Sequence, residues 1–225
     1  MRTALVVGGS GLVGRFCLQA LLDDPAYGSV ITLARRELSV AAHSRLTQKV
    51  LSFEMLASLD LPPLDDVFCA LGTTIRTAGS QEVFRRVDYD LPLAVADHAL
   101  KFGARQFVLV SSIGADAKSK NFYLRTKGEV EDALRRLPFK TLHIFRPGFL
   151  MGKREESRLG ESIAVPLAKG LQFVLIGGLR RYRPISAEKV GRAMVAAAEG
   201  DRQGTFIWQF DEINRKAAVL SSEPT

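Results

Sequence analysis

The sequence predicts an α/β protein with a doubly wound parallel sheet. Two patterns support this prediction. Short apolar runs rich in β-branched residues alternate with longer amphipathic segments along most of the 225 residues, as expected for parallel strands joined by helices that cover both faces of a sheet. The first apolar run, residues 3–7, leads into a glycine-rich turn and then into an amphipathic segment, which indicates a strand, a tight turn and a helix.

The glycine-rich turn at residues 8–14 predicts a binding site for a dinucleotide. Two overlapping spacings are present, one beginning at Gly8 and one at Gly9, and both continue through Gly11 and Gly14. Glycine allows a pyrophosphate to approach the backbone, and the N-terminus of the following helix attracts its negative charge. The residues of this turn that we expect to bind the cofactor are Gly8, Ser10, Gly11, Leu12, Val13 and Gly14.

Single residues exclude two other motifs with similar glycine spacing. A Walker A loop requires lysine and then a hydroxyl residue after Gly14, but the sequence has Arg15 and Phe16 there. A nucleophile elbow centred on Ser10 requires glycine at the position of Leu12. The turn is therefore interpreted as a dinucleotide site.

The remaining elements continue the alternation of strands and helices. Apolar runs predict further strands at residues 30–34, 49–53, 65–71, 106–110, 141–146 and 204–210. Amphipathic segments predict helices at residues 15–22, 80–103, 121–137, 162–169 and 187–199, with a loop at residues 73–79. The helix at residues 80–103 is expected to be capped by Ser80 and broken near Pro92. We expect one domain over residues 1–225, in which residues of about 150–203 form a small C-terminal lobe on the substrate side.

Composition places the chain among ordinary soluble proteins. Hydrophobic residues make up 47% and charged residues 24%, and no apolar run approaches the roughly 18 residues of a membrane span. No secretory signal is visible before the first strand, so we expect a cytoplasmic protein without a membrane partner. Cys17 and Cys69 lie in different elements without CxxC spacing and are expected to be reduced structural thiols.

The net charge of +7 favours small anionic ligands over nucleic acid, because the basic residues form scattered doublets and no concentrated stripe. His43, His98 and His143 share no ligand spacing, so no metal is expected. Helical segments at residues 81–102 and 122–137 can pair between subunits or pack on the sheet. The sequence leaves oligomerisation open between these two arrangements.

The end of the second predicted strand indicates a preference for NADPH over NADH. NAD-dependent enzymes commonly place an acidic residue there for the ribose hydroxyls, whereas Ala34 is followed by Arg35 and Arg36. Two guanidinium groups suit the 2′-phosphate of NADP. Glu37 is an alternative that would serve a ribose if the strand ends further along.

A serine pair and a Tyr-x-x-x-Lys spacing predict a catalytic group. Ser111 and Ser112 end a predicted strand, and Tyr123 and Lys127 lie four residues apart on one face of the next helix. The ammonium group and an oxidised nicotinamide both favour the phenolate form of the tyrosine. Tyr123 would therefore transfer a proton, and the Ser112 hydroxyl would position the substrate oxygen.

The sequence resembles the short-chain dehydrogenase/reductase superfamily. Four motifs, GGSGLVG, VSS, YLRTK and FRPGFLMG, occur in this order over nearly the full length. The glycine register that begins at Gly8 is that of the extended and atypical branches. More narrowly, the motifs CALGTT, SSIGAD, KGEVE and ESR are similar to the atypical oxidoreductase branch named for a Tat-interacting protein.

The resemblance implies an NADP-binding Rossmann fold with Ser112, Tyr123 and Lys127 in the catalytic positions. Ser112 is preferred to Ser111 because the family's catalytic hydroxyl is usually the second of this pair. Phe53 would flank the adenine, and the other implied cofactor contacts are Ala70, Leu71, Gly72 and Thr73, with Pro147, Gly148 and Phe149 near the nicotinamide. Arg76 and Arg158 are further candidates for the pocket.

The chain departs from the family pattern in two ways. Only about ten residues separate Ser112 from Tyr123, and the region after Arg146 is short for an enzyme that acts on sugar nucleotides. The favoured function is an NADP-dependent oxidoreductase acting on a small carbonyl or alcohol. The alternatives are an NADPH-binding regulatory protein with little turnover and a nucleotide-sugar epimerase or dehydratase.

Overall fold

The computed structural model describes residues 1–152, 177–200 and 202–219. The strands are β1 (Arg2–Val7), β2 (Tyr27–Ala34), β3 (Leu46–Val50), β4 (Asp66–Cys69), β5 (Gln106–Val110), β6 (Thr141–Phe145), β7 (Leu150–Met151), β8 (Ile185–Ser186) and β9 (Gly204–Trp208). The helices are α1 (Gly14–Asp23), α2 (Ile75–Ala78), α3 (Gln81–Arg85), α4 (Leu91–Lys101), α5 (Phe122–Leu134), α6 (Ala187–Ala198) and α7 (Phe210–Val219). Short 3₁₀-helices cover Phe53–Ser58 and Gly177–Tyr182, and a π-helical segment covers Arg86–Asp90.

The central sheet has seven strands in the order β3-β2-β1-β4-β5-β6-β9. Every neighbouring pair in this sheet is parallel, which confirms the predicted doubly wound α/β fold. The strand order reverses between β1 and β4, and open sheets of this kind bind ligands at the carboxyl ends of the strands beside such a reversal.

Helices cover the sheet on both faces because each inner strand is apolar on both sides. On one face α1, α6 and α7 pack through residues such as Leu18, Met194 and Ile213. On the other face α4 and α5 pack through residues such as Val95 and Leu134. Strands that are buried on both faces appear in the sequence as continuous apolar runs, and these runs are the reason that the sequence predicts a parallel sheet.

The edge strand β3 begins and ends about three residues before the strand predicted at residues 49–53. It spans Leu46–Val50, and Phe53 instead begins a 3₁₀ turn. Three of the five β3 residues are exposed, because a strand at the edge of a sheet pairs through its backbone on one side and needs few apolar side chains. Hydrophobicity alone therefore predicts this strand about three residues too far along the sequence.

The helix predicted at residues 80–103 is divided into α3, the π-helical segment and α4. Ser80 caps α3 as predicted, since its hydroxyl accepts a hydrogen bond from the Val83 amide at 3.2 Å. Pro92 lies in the first turn of α4 and has no N–H to continue a regular ladder from the preceding turn. The loop predicted at residues 73–79 contains the short helix α2, whose first turn is capped by Thr74.

The C-terminal part differs from the prediction at one further place. The closing strand ends at Trp208, and Phe210 begins helix α7, which the sequence analysis does not predict. The predicted helix at residues 162–169 and the candidate Arg158 lie outside the described residues. The predicted lobe at residues of about 150–203 stays a prediction.

A second, two-stranded sheet lies beside the main one. β7 and β8 are parallel, with Leu150 opposite Ile185 and Met151 opposite Ser186. Gly152 follows β7 and lies against the side chain of Leu12, which a Cβ on Gly152 would approach to 2.8 Å. The chain that leaves β6 is therefore anchored next to the glycine-rich turn.

Candidate functional site

A cleft of about 480 Å³ lies where the strand order reverses, at the carboxyl ends of β1, β4 and β5. Twelve of the predicted site residues line this cleft: Ser10, Gly11, Leu12, Val13, Arg35, Arg36, Ala70, Leu71, Gly72, Thr73, Tyr123 and Lys127. Other residues in its wall, which are not among the predicted ones, are Arg15, Thr74, Thr77, Asp88, Val110 and Leu150.

The geometry of the glycine-rich turn selects the spacing that begins at Gly8. Gly8 has φ +82°, and a Cβ there would lie 2.6 Å from the Ala70 backbone. A Cβ on Gly14 would lie 2.1 Å from the Gly8 carbonyl oxygen, and one on Gly11 would lie 3.0 Å from it. A Cβ on Gly9 would approach within 3.4 Å only the flexible end of Leu38, at 3.0 Å. Gly8 and Gly14 thus lie behind the turn and allow its tight packing against β4 and α1.

The turn presents groups that fit the pyrophosphate of a dinucleotide. Ser10 to Val13 line the cleft, Gly11 adds no side chain to it, and α1 begins at Gly14. A backbone cradle at the N-terminus of a helix attracts an anion. At the end of β2, the exposed side chains of Arg35 and Arg36 border the same cleft. The residues present therefore fit a nicotinamide dinucleotide.

Lys127 lies in the floor of the cleft and is paired with a buried carboxylate. Its Nζ atom is 2.7 Å from Oδ1 of Asp88, and the two side chains are 6% and 0% exposed. The other carboxylate oxygen of Asp88 accepts a hydrogen bond from the Thr73 amide at 2.9 Å. Asp88 thus connects the loop after β4 with helix α5.

Burial in the cleft floor lowers the pKa of Lys127, but the carboxylate of Asp88 and, next, the phenol of Tyr123 raise it by more. The net direction is upward from the ordinary value of 10.5. Lys127 is therefore protonated and positively charged at neutral pH. This charge is available to a phenolate or to a ligand hydroxyl in the cleft.

Tyr123 lies one helical turn before Lys127 and lines the same cleft. Its ring is packed against Phe84, with 5.5 Å between ring centroids. The side chain of Asn121 caps α5 by accepting a hydrogen bond from the Leu124 amide. Gly128 lets the helix dock on the preceding loop, because a Cβ there would lie 2.1 Å from the Ala117 amide nitrogen. This close packing brings Tyr123 to the cleft despite the short connection after Ser112.

The two serines after β5 have different surroundings. Ser111 is buried, and its hydroxyl donates to Oε1 of Glu131 at 2.5 Å. Ser112 is half-buried, and its hydroxyl reaches only the neighbouring Ile113 carbonyl, at 3.3 Å. Ser111 lies in the cleft wall, whereas Ser112 is not among the lining residues. The role expected of Ser112 stays a prediction.

Other predicted residues are not among those that line the cleft. Phe53 packs against the core beneath the sheet, and the Pro147 carbonyl accepts a hydrogen bond from the Ile113 amide at 2.9 Å. Gly148 lies against the backbone of residues 182–183, and Phe149 is 57% exposed. Arg76, in α2, is also outside the lining residues. Contacts of these residues with a cofactor stay predictions.

Asp88 is a residue of the cleft that the sequence does not predict. In the sequence, Asp88 is one of several charged residues in the helical segment RRVDYD, and no spacing distinguishes it from the others. Burial distinguishes it, because Asp88 is buried whereas Asp90 is exposed. A π-helical segment often marks a functional site, and Asp88 lies in the middle of one.

Cys69 is the last residue of β4 and lies close to the ion pair of Asp88 and Lys127. Burial raises the pKa of its thiol to about 12. Within the described residues both cysteines are buried and free, and no group of histidine, cysteine and acidic residues is arranged to hold a metal ion. In the same part of the chain, no helix has the length and apolar character required to cross a membrane.

Comparisons with known proteins support the resemblance found in the sequence. The HIM1 family model matches residues 40–173. Protein FMP52 of Candida albicans, named as mitochondrial, is 34% identical over 203 residues, which cover 88% of each chain. Protein HTATIP2 of Rattus norvegicus is 39% identical over 168 residues, which cover 72% of this chain and 69% of that protein.

Solved structures show the same fold at low sequence identity. UDP-N-acetylglucosamine 4-epimerase from Methanobrevibacter ruminantium has a TM-score of 0.69 and 17% identity, covering 98% of this chain and 81% of its own. The human epimerase family protein SDR39U1, solved with NADPH, has a TM-score of 0.64 and 18% identity, covering 92% and 74%. Both neighbours share the doubly wound parallel-sheet fold with this chain.

The prediction of a cytoplasmic protein is contradicted by these relatives, because several FMP52 proteins are named as mitochondrial. A secretory signal and a mitochondrial targeting segment differ in chemistry, so the absence of the first gave no reason to exclude mitochondria. The resemblance to the atypical short-chain dehydrogenase/reductase branch is confirmed by the match to HTATIP2. The chain belongs to the HIM1 family, and its own relatives FMP52 and HTATIP2 align with most of its length.

Proposed function

We propose that this protein is an NADPH-dependent oxidoreductase that transfers hydride between the cofactor and a small carbonyl or alcohol. One observation carries the proposal. The dinucleotide turn, the two arginines after β2 and the Tyr123–Lys127 pair line a single cleft. One extended ligand can therefore contact the glycine-rich turn and the catalytic pair at the same time.

Lys127 and Tyr123 would act together on the proton. The ammonium of Lys127 is fixed in the cleft floor and stabilises negative charge on the Tyr123 oxygen. When bound, the cofactor would supply or accept the hydride. Tyr123 would donate a proton to the carbonyl oxygen in reduction and accept it from the alcohol in oxidation.

Ser112 is better suited than Ser111 to position the substrate oxygen. The Ser111 hydroxyl is committed to the buried carboxylate of Glu131. The Ser112 hydroxyl has only a long hydrogen bond to the Ile113 carbonyl and can exchange it for a substrate oxygen. In this proposal the hydroxyl groups of Ser112 and Tyr123 bind the same substrate oxygen.

The proposal is tested by screening aldehydes, ketones and quinones for oxidation of NADPH, followed by the variant Tyr123→Phe. This variant removes one hydroxyl group, so turnover should fall by about 10²-fold or more while NADPH affinity stays nearly constant. Tyr89→Phe is the matched control, since Tyr89 stacks on Arg85 outside the cleft lining. Full activity of Tyr123→Phe would show that the proton donor lies elsewhere.

A protein that binds NADPH but oxidises none across the panel would favour the alternative of a regulatory protein. An epimerase would convert a sugar nucleotide without net consumption of cofactor. Low-identity neighbours that include epimerases show the fold and do not decide between these activities. Product analysis with a UDP-sugar therefore belongs in the same screen.

The preference for NADPH over NADH forms a second prediction. Arg35 and Arg36 are exposed at the border of the cleft and would bind the 2′-phosphate. The double variant Arg35→Ala/Arg36→Ala should lose at least about tenfold in NADPH affinity and little in NADH affinity, measured by fluorescence titration. The control is Arg136→Ala, an exposed arginine of another doublet. Equal losses for both cofactors would contradict phosphate recognition.

A further inference from the structure

Asp88 has a position that core packing alone does not explain. Its side chain is fully buried, and it makes two polar contacts, one to Lys127 at 2.7 Å and one to the Thr73 amide at 2.9 Å. A buried ion pair costs desolvation of both charges, and apolar residues of similar volume often stabilise a core as well or better. The pair lies in the wall of the cleft and not in the centre of either apolar cluster.

The two contacts of Asp88 join parts of the chain that the proposed reaction needs in fixed relative positions. Thr73 belongs to the loop after β4, and Lys127 belongs to α5; both line the cleft. Gly72 borders the pair, since a Cβ there would be in ordinary van der Waals contact with both groups, at 3.4 Å from Asp88 Oδ1 and 3.7 Å from Lys127 Nζ. Besides Asp88, the titratable groups of Tyr123 and Cys69 also act on the Lys127 charge.

We propose that Asp88 is the positioning residue of this site, which holds the Lys127 ammonium with one carboxylate oxygen and the cofactor-side loop with the other. The inference rests on the proposed function for its biological meaning. Its physical content is independent of turnover. The lysine and the Thr73 loop are set by one side chain before any ligand enters, so the site is preorganised.

The test measures the chemical reactivity of Lys127 in the protein without cofactor or substrate. Acetic anhydride acylates only a neutral amine, and the rate at each lysine is read by peptide mass spectrometry. In Asp88→Asn the carboxylate charge is lost while burial of the amine remains, so the neutral fraction of Lys127 grows. Acylation of Lys127 at pH 7.5 should then become at least about tenfold faster relative to wild type.

Matched variants separate positioning from a general effect on the fold. Exposed Lys101 and Lys118 are internal references for the reagent, and Asp90→Asn removes an exposed acid from the same π-helical segment. Asp90→Asn should leave Lys127 at its wild-type rate, and Asp88→Glu, which keeps the charge, should stay close to it. A folded Asp88→Asn protein with an unchanged Lys127 rate would overturn the proposal.

A stability cycle covers the case in which Asp88→Asn folds but is too unstable for the acylation experiment. Asp88→Asn and Lys127→Met each leave one polar partner buried and should each lower the melting temperature. The double variant removes both partners and should melt at a higher temperature than the additive expectation. Strict additivity would refute the pairing. Because neither measurement involves catalysis, absence of NADPH oxidation in the screen would refute the proposed function without touching this result.

Discussion

Gly8 and Gly14 are required by contacts inside the turn, whereas Gly9 is not. A Cβ at Gly14 would lie 2.1 Å from a backbone oxygen, and a Cβ at Gly8 would meet the Ala70 backbone at 2.6 Å. Backbone atoms at such distances cannot move aside without displacing α1 or β4. The side-chain end of Leu38, which faces Gly9, can adopt another rotamer.

We therefore predict that Gly14→Ala and Gly9→Ala differ in effect. Gly14→Ala should destabilise the fold by about 1–3 kcal/mol or more and weaken NADPH binding, because the helix must shift away from the turn. Gly9→Ala should cost less than about 1 kcal/mol. Urea denaturation and calorimetric titration measure the two quantities. The reverse order of effects would mean that the cofactor turn uses the spacing that begins at Gly9.

At the scale of single residues, the sequence predicted those parts of the site that follow a local spacing. Tyr123 and Lys127 are one helical turn apart, and the glycines are neighbours in one turn, so their juxtaposition is visible in the sequence. Asp88 could not be predicted in this way because its partners Thr73 and Lys127 come from other elements. Likewise, no spacing in the sequence indicates that Ser111, and not Ser112, donates a hydrogen bond to Glu131.

At the scale of elements, Glu131 connects β5, α5 and β6. It is fully buried, accepts the Ser111 hydroxyl at 2.5 Å and is paired with Arg146, whose Nε lies 2.9 Å from Oε1. Arg135 adds a second, longer ion pair at 3.3 Å. Glu131 thus fixes the carboxyl ends of two strands on one helix, directly before Ser112 and Pro147.

Glu131→Gln should be strongly destabilising, because it leaves the guanidinium of Arg146 without its charged partner in a largely buried place. The expected loss is about 3 kcal/mol in the free energy of unfolding. Asp132→Asn is the matched control on the same helix, since Asp132 pairs only with Arg135 on the surface and should change stability by less than about 1 kcal/mol. Equal effects in urea denaturation would argue against a central role for Glu131.

Prediction of the elements from sequence succeeded where burial dictates the residues. The bounds of β5 are those expected, residues 106–110, because all five residues lie in the middle of the sheet. The edge strand β3 and the helix α7 carry many polar residues, so hydrophobic patterning gave a weak signal for them. The π-helical segment has no sequence signature beyond Pro92, which follows it.

At the scale of the whole molecule, two buried titratable groups give stability opposite dependences on pH. Burial raises the pKa of Asp66 to about 6 from an ordinary 3.8, despite its ion pair with Arg2 and hydrogen bond with Tyr27. Burial, with help from Lys216 and Arg202, lowers the pKa of His143 to about 4 from an ordinary 6.5. The Trp208 indole donates to this imidazole at 3.1 Å.

The sign of each contribution follows from proton uptake. Between about pH 4 and 6 the folded protein binds the Asp66 proton more tightly than the unfolded chain, so this stabilisation is present at low pH and lost as pH rises. Between about pH 6.5 and 4 the unfolded chain binds the His143 proton more tightly, so that stabilisation is present at neutral pH and lost as pH falls. The two slopes largely cancel.

Each single variant should therefore show a dependence of the free energy of unfolding on pH that largely cancels in the wild-type protein. With Asp66→Asn, the free energy of unfolding should rise by up to about 3 kcal/mol between pH 4 and 6.5, and with His143→Gln it should fall by up to about 3 kcal/mol between pH 4 and 6. Urea denaturation at several pH values gives these slopes. Parallel curves for wild type and both variants would contradict the assignment.

The parallel pair of β7 and β8 makes the connection between β6 and α6 a replaceable part of the molecule. Leu150 pairs with Ile185 and lines the cleft, and β8 leads directly into α6. Residues 150–151 and 185–186 thus lie side by side, and Gly152 contacts Leu12 of the glycine-rich turn. Because the two strands that bound this connection pair with each other and not with the main sheet, a change in the length of the sequence between them need not alter the order of the main sheet.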